Sequence, residues 1–459
     1  MFQPHVRSSR NRRPHLKIIS GSICAPRGFK CAAVFCDIKK LGTGKGSDKG
    51  RKDDLALIVS DVPAAVAGMF TTNQVCAAPV KVSRRVAAKK FARAIVVNSG
   101  NANAATGNQG LRDAEAMARI TVAALSERRS QRDLAVRDRR YNIGERGVLV
   151  CSTGRIGMIM PMRNVARGIR ACAPLLARST SSSRRVAEAI MTSDTRRKEI
   201  AVECKIDNRI VRIGGIAKGA GMIQPGMATM LAFITSDIAM EPRALKRALK
   251  IAVEQSFNRI TVDGDMSTND SVIMLANGMA QSVFVGRRSS PPAATTAAKM
   301  AALQFQRALN FVCLELAKMI VRDGEGVSRF VTLKIRGARN DREAEAAARA
   351  VANSSLVRTS WCGGDPNWGR ILCALGYSSA KVNEAIVDVG YSRPNERKIR
   401  WGFRRGQEAE PLRRLSPIVA EKEFDIHVDL RLGRGEFTMF ASDLTEDYVT
   451  FNKGDGIGG

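Results

Sequence analysis

The chain has few histidines, few aromatic residues and no long apolar run, and each shortage excludes a class of protein. There are three histidines in 459 residues. His5 and His15 lie in a basic N-terminal tail, so a Ser-His-Asp or Cys-His mechanism would have to use His427. That residue lies in an alternating segment, residues 424–430, which predicts a half-exposed strand and a solvated histidine. The apolar runs are short and interrupted by Gly, Lys or Asp, so the sequence predicts no membrane span and no membrane partner.

The cysteines do not form the pattern of a disulfide framework. There are ten of them, scattered without a CxxC pair, and most lie in apolar surroundings, as Cys151, Cys313 and Cys373 do. This distribution is typical of reduced, buried thiols in an intracellular protein. Cys31 and Cys36 are close in sequence, but no histidine nearby could complete a zinc site.

Acidic residues are also few: 43 against 74 Lys and Arg, which gives a net charge of +31. Such an excess can indicate nucleic-acid binding, but aromatic residues are only 5%. Only Trp401 and Phe403 lie within the basic clusters at residues 128–140 and 393–405, which is too few for an extended base-stacking surface. We therefore predict a solvated basic surface without a nucleic-acid partner, which could also steer an anionic substrate. A basic nucleic-acid-binding protein is kept as a third hypothesis.

The N-terminal tail, residues 1–27, is basic, and the first acidic residue of the chain is Asp37. This composition fits an organelle transit peptide and fits a disordered bacterial tail equally well. The expected location is the cytoplasm, or the mitochondrial matrix or plastid if the tail is a transit peptide.

The rest of the chain alternates strand-like and alanine-rich helical segments, which predicts an α/β fold. Its length predicts two or more lobes. We predict strands at residues 55–59, 94–97 and 147–151, helices at 244–255 and 305–321, of which the second is apolar enough to be buried, and an exposed helix at 340–353.

The most informative segment is residues 218–231 (KGAGMIQPGMATML), where a glycine-rich loop precedes Thr229 and an apolar run follows it. Thr229 is therefore expected at the start of a buried strand. A threonine hydroxyl needs a neighbouring base, and cleavage just before the threonine makes its own α-amine that base. The amine has a pKa of about 7.7–8.0, against about 10.4 for a lysine. Such chemistry needs no histidine.

This segment resembles the self-cleaving loop of the ornithine acetyltransferase (ArgJ) family, also known as glutamate N-acetyltransferases. Other blocks resemble the family in its own order and together extend from about residue 28 to 452: residues 98–104 (NSGNANA), 152–157 (STGRIG), 190–195 (IMTSDT), 256–265 (SFNRITVDGD), 323–326 (DGEG), 364–370 (GDPNWGR) and 443–449 (DLTEDYV).

The resemblance implies an α/β sandwich of layered β-sheets between helices, cut between Ala228 and Thr229 into an α chain, residues 28–228, and a β chain, residues 229–459. The two chains stay interlocked, and an α2β2 heterotetramer is expected. The implied reaction moves an acetyl group from N2-acetyl-L-ornithine to L-glutamate through acetyl-Thr229, in arginine biosynthesis. Some members also accept acetyl-CoA, and no metal or cofactor is implied. The alternative is a self-processing N-terminal-nucleophile aminopeptidase or amidohydrolase of the related fold.

Two further sites follow from the same resemblance. A threonine hydroxyl and a glycine amide at a strand end can point two donors at one oxygen, although an ordinary turn with a helix cap fits the same residues. The resemblance makes Thr153 and Gly154 the oxyanion hole. It also makes substrate contacts of Thr192, Lys218, Glu325 and Asn452. For Lys218 and Glu325 the alternative is a solvated surface position.

Two segments do not fit the motifs they suggest, which are the family's C-terminal pattern and a calcium-binding loop. The C-terminus has Asp455 and Ile457 where the family has a tyrosine and a hydroxyl residue, so that terminal contact cannot be carried over. Residues 263–270 are acidic but fail the calcium-loop pattern, because position six is Thr268 and position twelve is Met274. We expect a hydrogen-bonded structural loop near the site.

Overall fold

The computed structural model describes residues 16–39, 52–130, 147–224, 230–280 and 292–453. In chain order, its strands are β1 (Lys17–Ile18), β2 (Phe29–Val34), β3 (Leu55–Phe70), β4 (Phe91–Asn101), β5 (Val148–Arg155), β6 (Lys198–Ile206), β7 (Arg209–Lys218), β8 (Leu231–Ser236), β9 (Ile260–Thr261), β10 (Ser271–Ala276), β11 (Phe330–Ala338), β12 (Asp388–Ser392), β13 (Arg400–Arg404), β14 (Gln407–Glu408), β15 (Glu423–Asp429) and β16 (Gly435–Ser442).

The α-helices are α1 (Ala78–Ala87), α2 (Gly107–Ser130), α3 (Met162–Cys172), α4 (Thr180–Ala189), α5 (Pro242–Glu254), α6 (Pro292–Arg322), α7 (Asp341–Asn353), α8 (Ser355–Cys362), α9 (Trp368–Gly376), α10 (Leu412–Val419) and α11 (Glu446–Asn452).

Within these residues the strands form two mixed sheets. The first has the order β1-β6-β7-β8-β10-β3-β4-β5, with β2 paired to β3. Strand β8 is antiparallel to β7 and parallel to β10. All six residues of β8 and of β10 are buried, because alternate side chains enter the cores on opposite faces of the sheet. The second sheet has the order β14-β13-β12-β15-β11-β16-β9.

The long strand β3 divides the first sheet into two halves. Its first part pairs with β4 from Leu55 to Ala65, and its last part pairs with β10 from Ala65 to Phe70. Both halves contribute to one central core, in which residues such as Ile95 and Phe233 belong to the same cluster. Helices α5 and α6 line a second core on the β6–β8 half, and α2 and α3 line a third on the β4–β5 half. The predicted α/β layering of sheets and helices is confirmed.

One predicted helix has a different environment. Helix α7 matches residues 340–353, with the Asn340 side chain accepting from the Glu343 amide as an N-cap. Its alanines were expected to be exposed, and this was wrong: Ala344, Ala347 and Ala348 are fully buried in the core of the second sheet. Alanine adapts to either environment, so its spacing alone does not identify the packed face.

The termini and thiols complete the description. Residues 1–15 of the basic tail lie outside the described residues, whereas β1 pairs with β6 and Ile23 is fully buried. Ordered chain therefore begins before residue 28. All ten cysteines are free thiols, but Cys373 is exposed rather than packed in apolar surroundings. None of the helices in the described part of the chain has the length and apolarity needed to cross a membrane.

Candidate active site

Lys218 is the last residue of β7 and is buried, with 4% of its surface exposed. Its ammonium group donates to the hydroxyl of Thr192 at 2.7 Å and lies 3.9 Å from the carboxylate of Asp194. The expectation of a lysine in a flexible loop, or at the surface, was therefore wrong. The structure instead brings together two of the residues predicted to contact substrate.

Around this pair lies a buried network of two lysines and two aspartates. Lys198 donates to Asp194 at 2.6 Å and also binds Asp323. Burial alone would raise the pKa of Asp194, but Lys218 and Lys198 reverse that effect and hold it well below its ordinary value. Burial lowers the pKa of Lys218. Buried carboxylates, rather than water, thus compensate the charge of Lys218 and orient its side chain.

Glu325 lies in the turn that follows α6, as the sequence predicted. Its backbone amide donates to the carbonyl of Ala220 at 2.8 Å, and its carboxylate accepts from the side-chain amide of Asn452 at 3.1 Å. The carboxylate packs against Gly221, where an added Cβ would lie 2.3 Å from Oε2. The negative charge of Glu325 raises the pKa of Lys218 and so opposes the effect of burial on that lysine. Helix α11, which ends at Asn452, therefore closes onto the same site.

The glycine-rich loop is held by two aspartates. The amide of Gly219 donates to Asp194 at 2.7 Å, and the amide of Ile223 donates to Asp263 at 2.7 Å. The amide of Met222 also donates to Asp263. Burial raises the pKa of Asp263 even though these amides favour its charged form. The prediction that residues 263–270 form a hydrogen-bonded loop near the site is consistent with these contacts.

Thr153 and Gly154 lie at the end of β5, where the strand pairs with Ser99 and Gly100 of β4. Gly154 has φ +127°, and an added Cβ would lie 2.3 Å from the carbonyl carbon of Gly100. Only glycine fits this close approach with this backbone angle. The alternative of a turn with a helix cap is not what these residues form, since they remain part of the strand. Their role as oxyanion donors stays a prediction.

Asn269 and Asp270 were not singled out from the sequence, yet they connect two parts of the site. The side-chain amide of Asn269 donates to the carbonyls of Ala102 and Ser152, at 2.6 and 2.8 Å. The carboxylate of Asp270 accepts from the amide of Met230 at 2.8 Å. One dipeptide thus joins the strand end that carries Thr153 to the beginning of β8. The signal available in the sequence was a run of polar residues, 263–270, that does not fit the calcium-loop pattern.

Asp194, Lys198 and Asp323 were also missed as site residues. Asp194 and Asp323 lie within segments that resemble the family, but the sequence predicts no role for them. Nothing in their separate segments indicates that they meet, because the contact requires α6 to pack beside β6 and β7.

Ala228 and Thr229 lie outside the described residues, as do Asp455 and Ile457. Met230 is the first described residue after them, and it is buried at the N-terminal end of β8. Its next neighbour in the chain, Leu231, pairs with Lys218 across the sheet. The beginning of β8 therefore lies beside the end of β7 that carries Lys218, while the role of Thr229 stays a prediction.

His427 is half-buried in β15, on the second sheet, with Nε2 2.9 Å from the hydroxyl of Ser392. Ser392 is fully buried, and its hydroxyl also donates to the carbonyl of Arg393. Burial, together with Lys334 and Arg336, lowers the pKa of His427 to about 4. The histidine is therefore less solvated than predicted, and its serine neighbour is not accessible as a nucleophile.

The mixed sheets and the buried lysine–carboxylate pocket define an α/β enzyme whose site lies beside a glycine-rich loop. The chain belongs to the ArgJ family, whose model matches residues 32–454. An arginine biosynthesis bifunctional protein ArgJ from Geobacter sulfurreducens is 43% identical over 93% of this chain and 98% of its own length. A glutamate N-acetyltransferase from Methanocaldococcus jannaschii is 41% identical over 95% of this chain and 99% of its own.

Among solved structures, an ornithine acetyltransferase from Mycobacterium tuberculosis, crystallised with ornithine, is 35% identical. The match covers 46% of this chain and 98% of that chain, with a TM-score of 0.39.

Proposed function

We propose that this protein is an acetyltransferase of arginine biosynthesis that moves the acetyl group of N2-acetyl-L-ornithine to L-glutamate, and that can also take it from acetyl-CoA. The observation that supports this most is that the buried cation Lys218 lies close enough to the carboxylate of Glu325 for that charge to raise its pKa. Both substrates are amino acids, so each offers a carboxylate to Lys218 and a nitrogen at the α position toward Glu325. A single pocket of this kind serves both half-reactions.

The reaction proposed for this pocket is a double displacement. The precursor first cuts itself between Ala228 and Thr229, leaving residues 28–228 and 229–459 as interlocked chains that assemble as α2β2. The Thr229 hydroxyl then attacks the acetyl carbonyl of N-acetylornithine, and its own α-amine takes the hydroxyl proton. Thr153 and Gly154 donate to the oxyanion that forms.

Collapse of the tetrahedral intermediate breaks the amide bond, and the leaving ornithine nitrogen takes the proton. The α-amine of glutamate next attacks the acetyl ester on Thr229. The second tetrahedral intermediate uses the same two donors, and its collapse restores the threonine hydroxyl and releases N-acetylglutamate. Thr192 and Asn452 orient Lys218 and Glu325, respectively, through the hydrogen bonds that the site contains.

The test begins with the intact mass of purified protein. We expect two fragments, each roughly half of 49.8 kDa, one of them beginning Thr-Met-Leu-Ala-Phe. Thr229→Ala should remain a single chain, whereas Thr359→Ala, on the exposed face of α8, should be processed normally. A wild-type protein that stays full length yet is active would overturn the proposed cleavage.

The covalent intermediate is tested separately. Incubation with N-acetylornithine alone should add one acetyl mass to the fragment beginning at Thr229, and initial-rate plots for donor and glutamate should be parallel. Intersecting lines without an acetylated fragment would indicate direct transfer. Release of acetate at the full rate without glutamate would favour the alternative, an N-terminal-nucleophile hydrolase.

A further inference from the structure

Cys24 and Cys31 lie side by side, and neither belongs to the site described above. Their Sγ atoms are 3.1 Å apart, and the Cys24 thiol donates to that of Cys31. Cys24 is the last residue of a short 3-10 helix, Ser22–Cys24, and Cys31 lies in strand β2. Because a disulfide bond is about 2.05 Å long, the two sulfur atoms need to approach by only about 1 Å. The backbone therefore already holds two thiols within reach of a covalent bond.

The two thiols differ in their access to solvent, which sets the order in which they can react. Cys24 is half-buried, whereas Cys31 is fully buried. The hydrogen bond with Cys24, together with burial, raises the pKa of Cys31 well above its ordinary value. Since the thiolate is the form that attacks, the first reaction with an external reagent falls to Cys24. Once the Cys24 sulfur is bonded to half of that reagent, the hydrogen bond is lost and Cys31 lies beside the sulfur that it must attack.

We propose that Cys24 and Cys31 are an oxidisable pair that a low-molecular-weight disulfide converts to a protein disulfide, and that this bridge fastens the N-terminal segment to the first sheet. The Cys24 sulfur gives up its proton and attacks one sulfur of the reagent, whose S–S bond breaks, and the departing thiolate takes up the proton. The Cys31 sulfur then attacks Cys24 Sγ in the same way, and the second reagent thiolate departs with the Cys31 proton. Two protein thiols are oxidised to one disulfide, and the reagent disulfide is reduced to two thiols.

The 3-10 helix that the bridge would hold packs directly on two strands of the first sheet. The hydroxyl of Ser22 donates to the carbonyl of Gly215 in β7 at 3.4 Å. The hydroxyl of Thr235 in β8 donates to the carbonyl of Ile23 at 2.8 Å. The carbonyl of Ser22 also fills the space that a Cβ at Gly214 would need. A covalent bond from this helix to β2 therefore links the β7–β8 part of the sheet to the strand that pairs with β3.

Peptide mapping tests whether the bridge forms. Purified protein is treated with oxidised glutathione, its remaining thiols are alkylated, and the tryptic peptides are analysed by mass spectrometry. Trypsin separates peptide 18–27, which carries Cys24, from peptide 31–39, which carries Cys31 and Cys36. We expect the two peptides to be joined, with a combined mass lower by two hydrogens than the sum of the reduced peptides. Fragmentation should place the bond on Cys31.

Other thiols of the chain provide the control and the contrary outcomes. Cys373 is exposed and should gain a glutathione, which shows that the reagent has acted. The inference is overturned if Cys24 keeps a glutathione while Cys31 is alkylated, or if neither changes although Cys373 does. It is also overturned if Cys31 is joined instead to Cys36 or to Cys172, whose charge also acts on Cys31.

Thermal melting tests whether the bridge fastens the segment. The loop closed by residues 24–31 is short, so we expect the oxidised wild type to melt only about 2–5 °C above the reduced protein. Cys24→Ser, treated in the same way, should show no such rise. Cys362→Ser is the matched control, since Cys362 is also half-buried but lies at the end of α8, and it should keep the rise. An oxidised wild type that melts at or below the reduced protein would overturn the fastening, as would an equal rise in Cys24→Ser.

Discussion

The ammonium group of Lys218 donates to the hydroxyl of Thr192 at 2.7 Å, inside the protein and at the end of a central strand. A buried lysine that bonds a neutral hydroxyl, with its nearest carboxylate 3.9 Å away, keeps charge available for an anionic ligand.

Lys218→Met should therefore raise KM for both N-acetylornithine and glutamate more than it lowers kcat. A hydrogen bond to a charged group contributes about 1.5–3 kcal/mol, which corresponds to a change of roughly 10- to 150-fold. Steady-state kinetics with each substrate varied in turn checks this. Lys334→Met is the control, since Lys334 pairs with Asp425 on the second sheet. Unchanged KM values would remove Lys218 from substrate binding.

Thr153→Ala should lower kcat by about 10²–10³, because one oxyanion donor typically contributes that much. Thr153→Ser keeps a hydroxyl at the same place and should restore most of the activity. The measurement is kcat and KM under single-turnover and steady-state conditions. An effect confined to KM would make Thr153 a substrate contact instead.

Asp194→Asn should destabilise the fold at neutral pH by about 3–5 kcal/mol, because it leaves two buried lysines short of one anion. The folded-state pKa of Asp194 is depressed. The unfolded-state pKa is about 3.9, so the contribution of Asp194 is complete above about pH 5 and is lost progressively as pH falls from there through the folded-state pKa. Urea unfolding at several pH values should show the variant and wild type converging in acid.

The control for that comparison is Glu423→Gln. Glu423 pairs with Arg322, and both side chains are 39% exposed, so the change should be small. A difference between Asp194→Asn and wild type that persists undiminished in acid would contradict the assignment.

Gly221→Ala should displace the Glu325 carboxylate, since the new Cβ would lie 2.3 Å from Oε2. The backbone of residue 221 is outside the left-handed region, so the fold should tolerate alanine. We expect KM for glutamate to rise about tenfold or more, as for a lost charged hydrogen bond. Gly369→Ala, whose Cβ would meet nothing closer than 3.5 Å, serves as the control for a glycine substitution in the same protein. Equal KM values for the two variants would count against Glu325.

The sequence predicts the regular elements where one signal dominates. Helix α5 and the long helix α6 follow from apolar periodicity, and the first five residues of β3 follow from an apolar run. The remainder of β3 was missed because Ser60, Asp61 and Pro63 interrupt that run. The strand continues past them only through a register shift between Val59 and Ala64, which requires its neighbours to be in place.

The candidate site, too, is only partly predictable from the sequence. Short matching blocks identify Thr192, Lys218 and Glu325, but they cannot show that Lys218 is buried, because its environment comes from distant segments. Asp323 reaches Lys198 only in the folded protein. The burial of Asp270 is likewise a property of packing, since an aspartate in an acidic run is expected to be solvated until its neighbours are known.

The pairing of β7 with β8 has a consequence for assembly. Lys218 lies opposite Leu231, and the ladder continues to Ile213 opposite Ser236, so the proposed cut would separate two strands that remain adjacent in one sheet. In the uncut precursor the two strands belong to one chain, so their pairing does not depend on protein concentration. Once cut and fully denatured, the same halves would have to find each other in solution. The yield of refolded enzyme would then depend on protein concentration. The cut enzyme should therefore refold less efficiently than the uncut precursor folds.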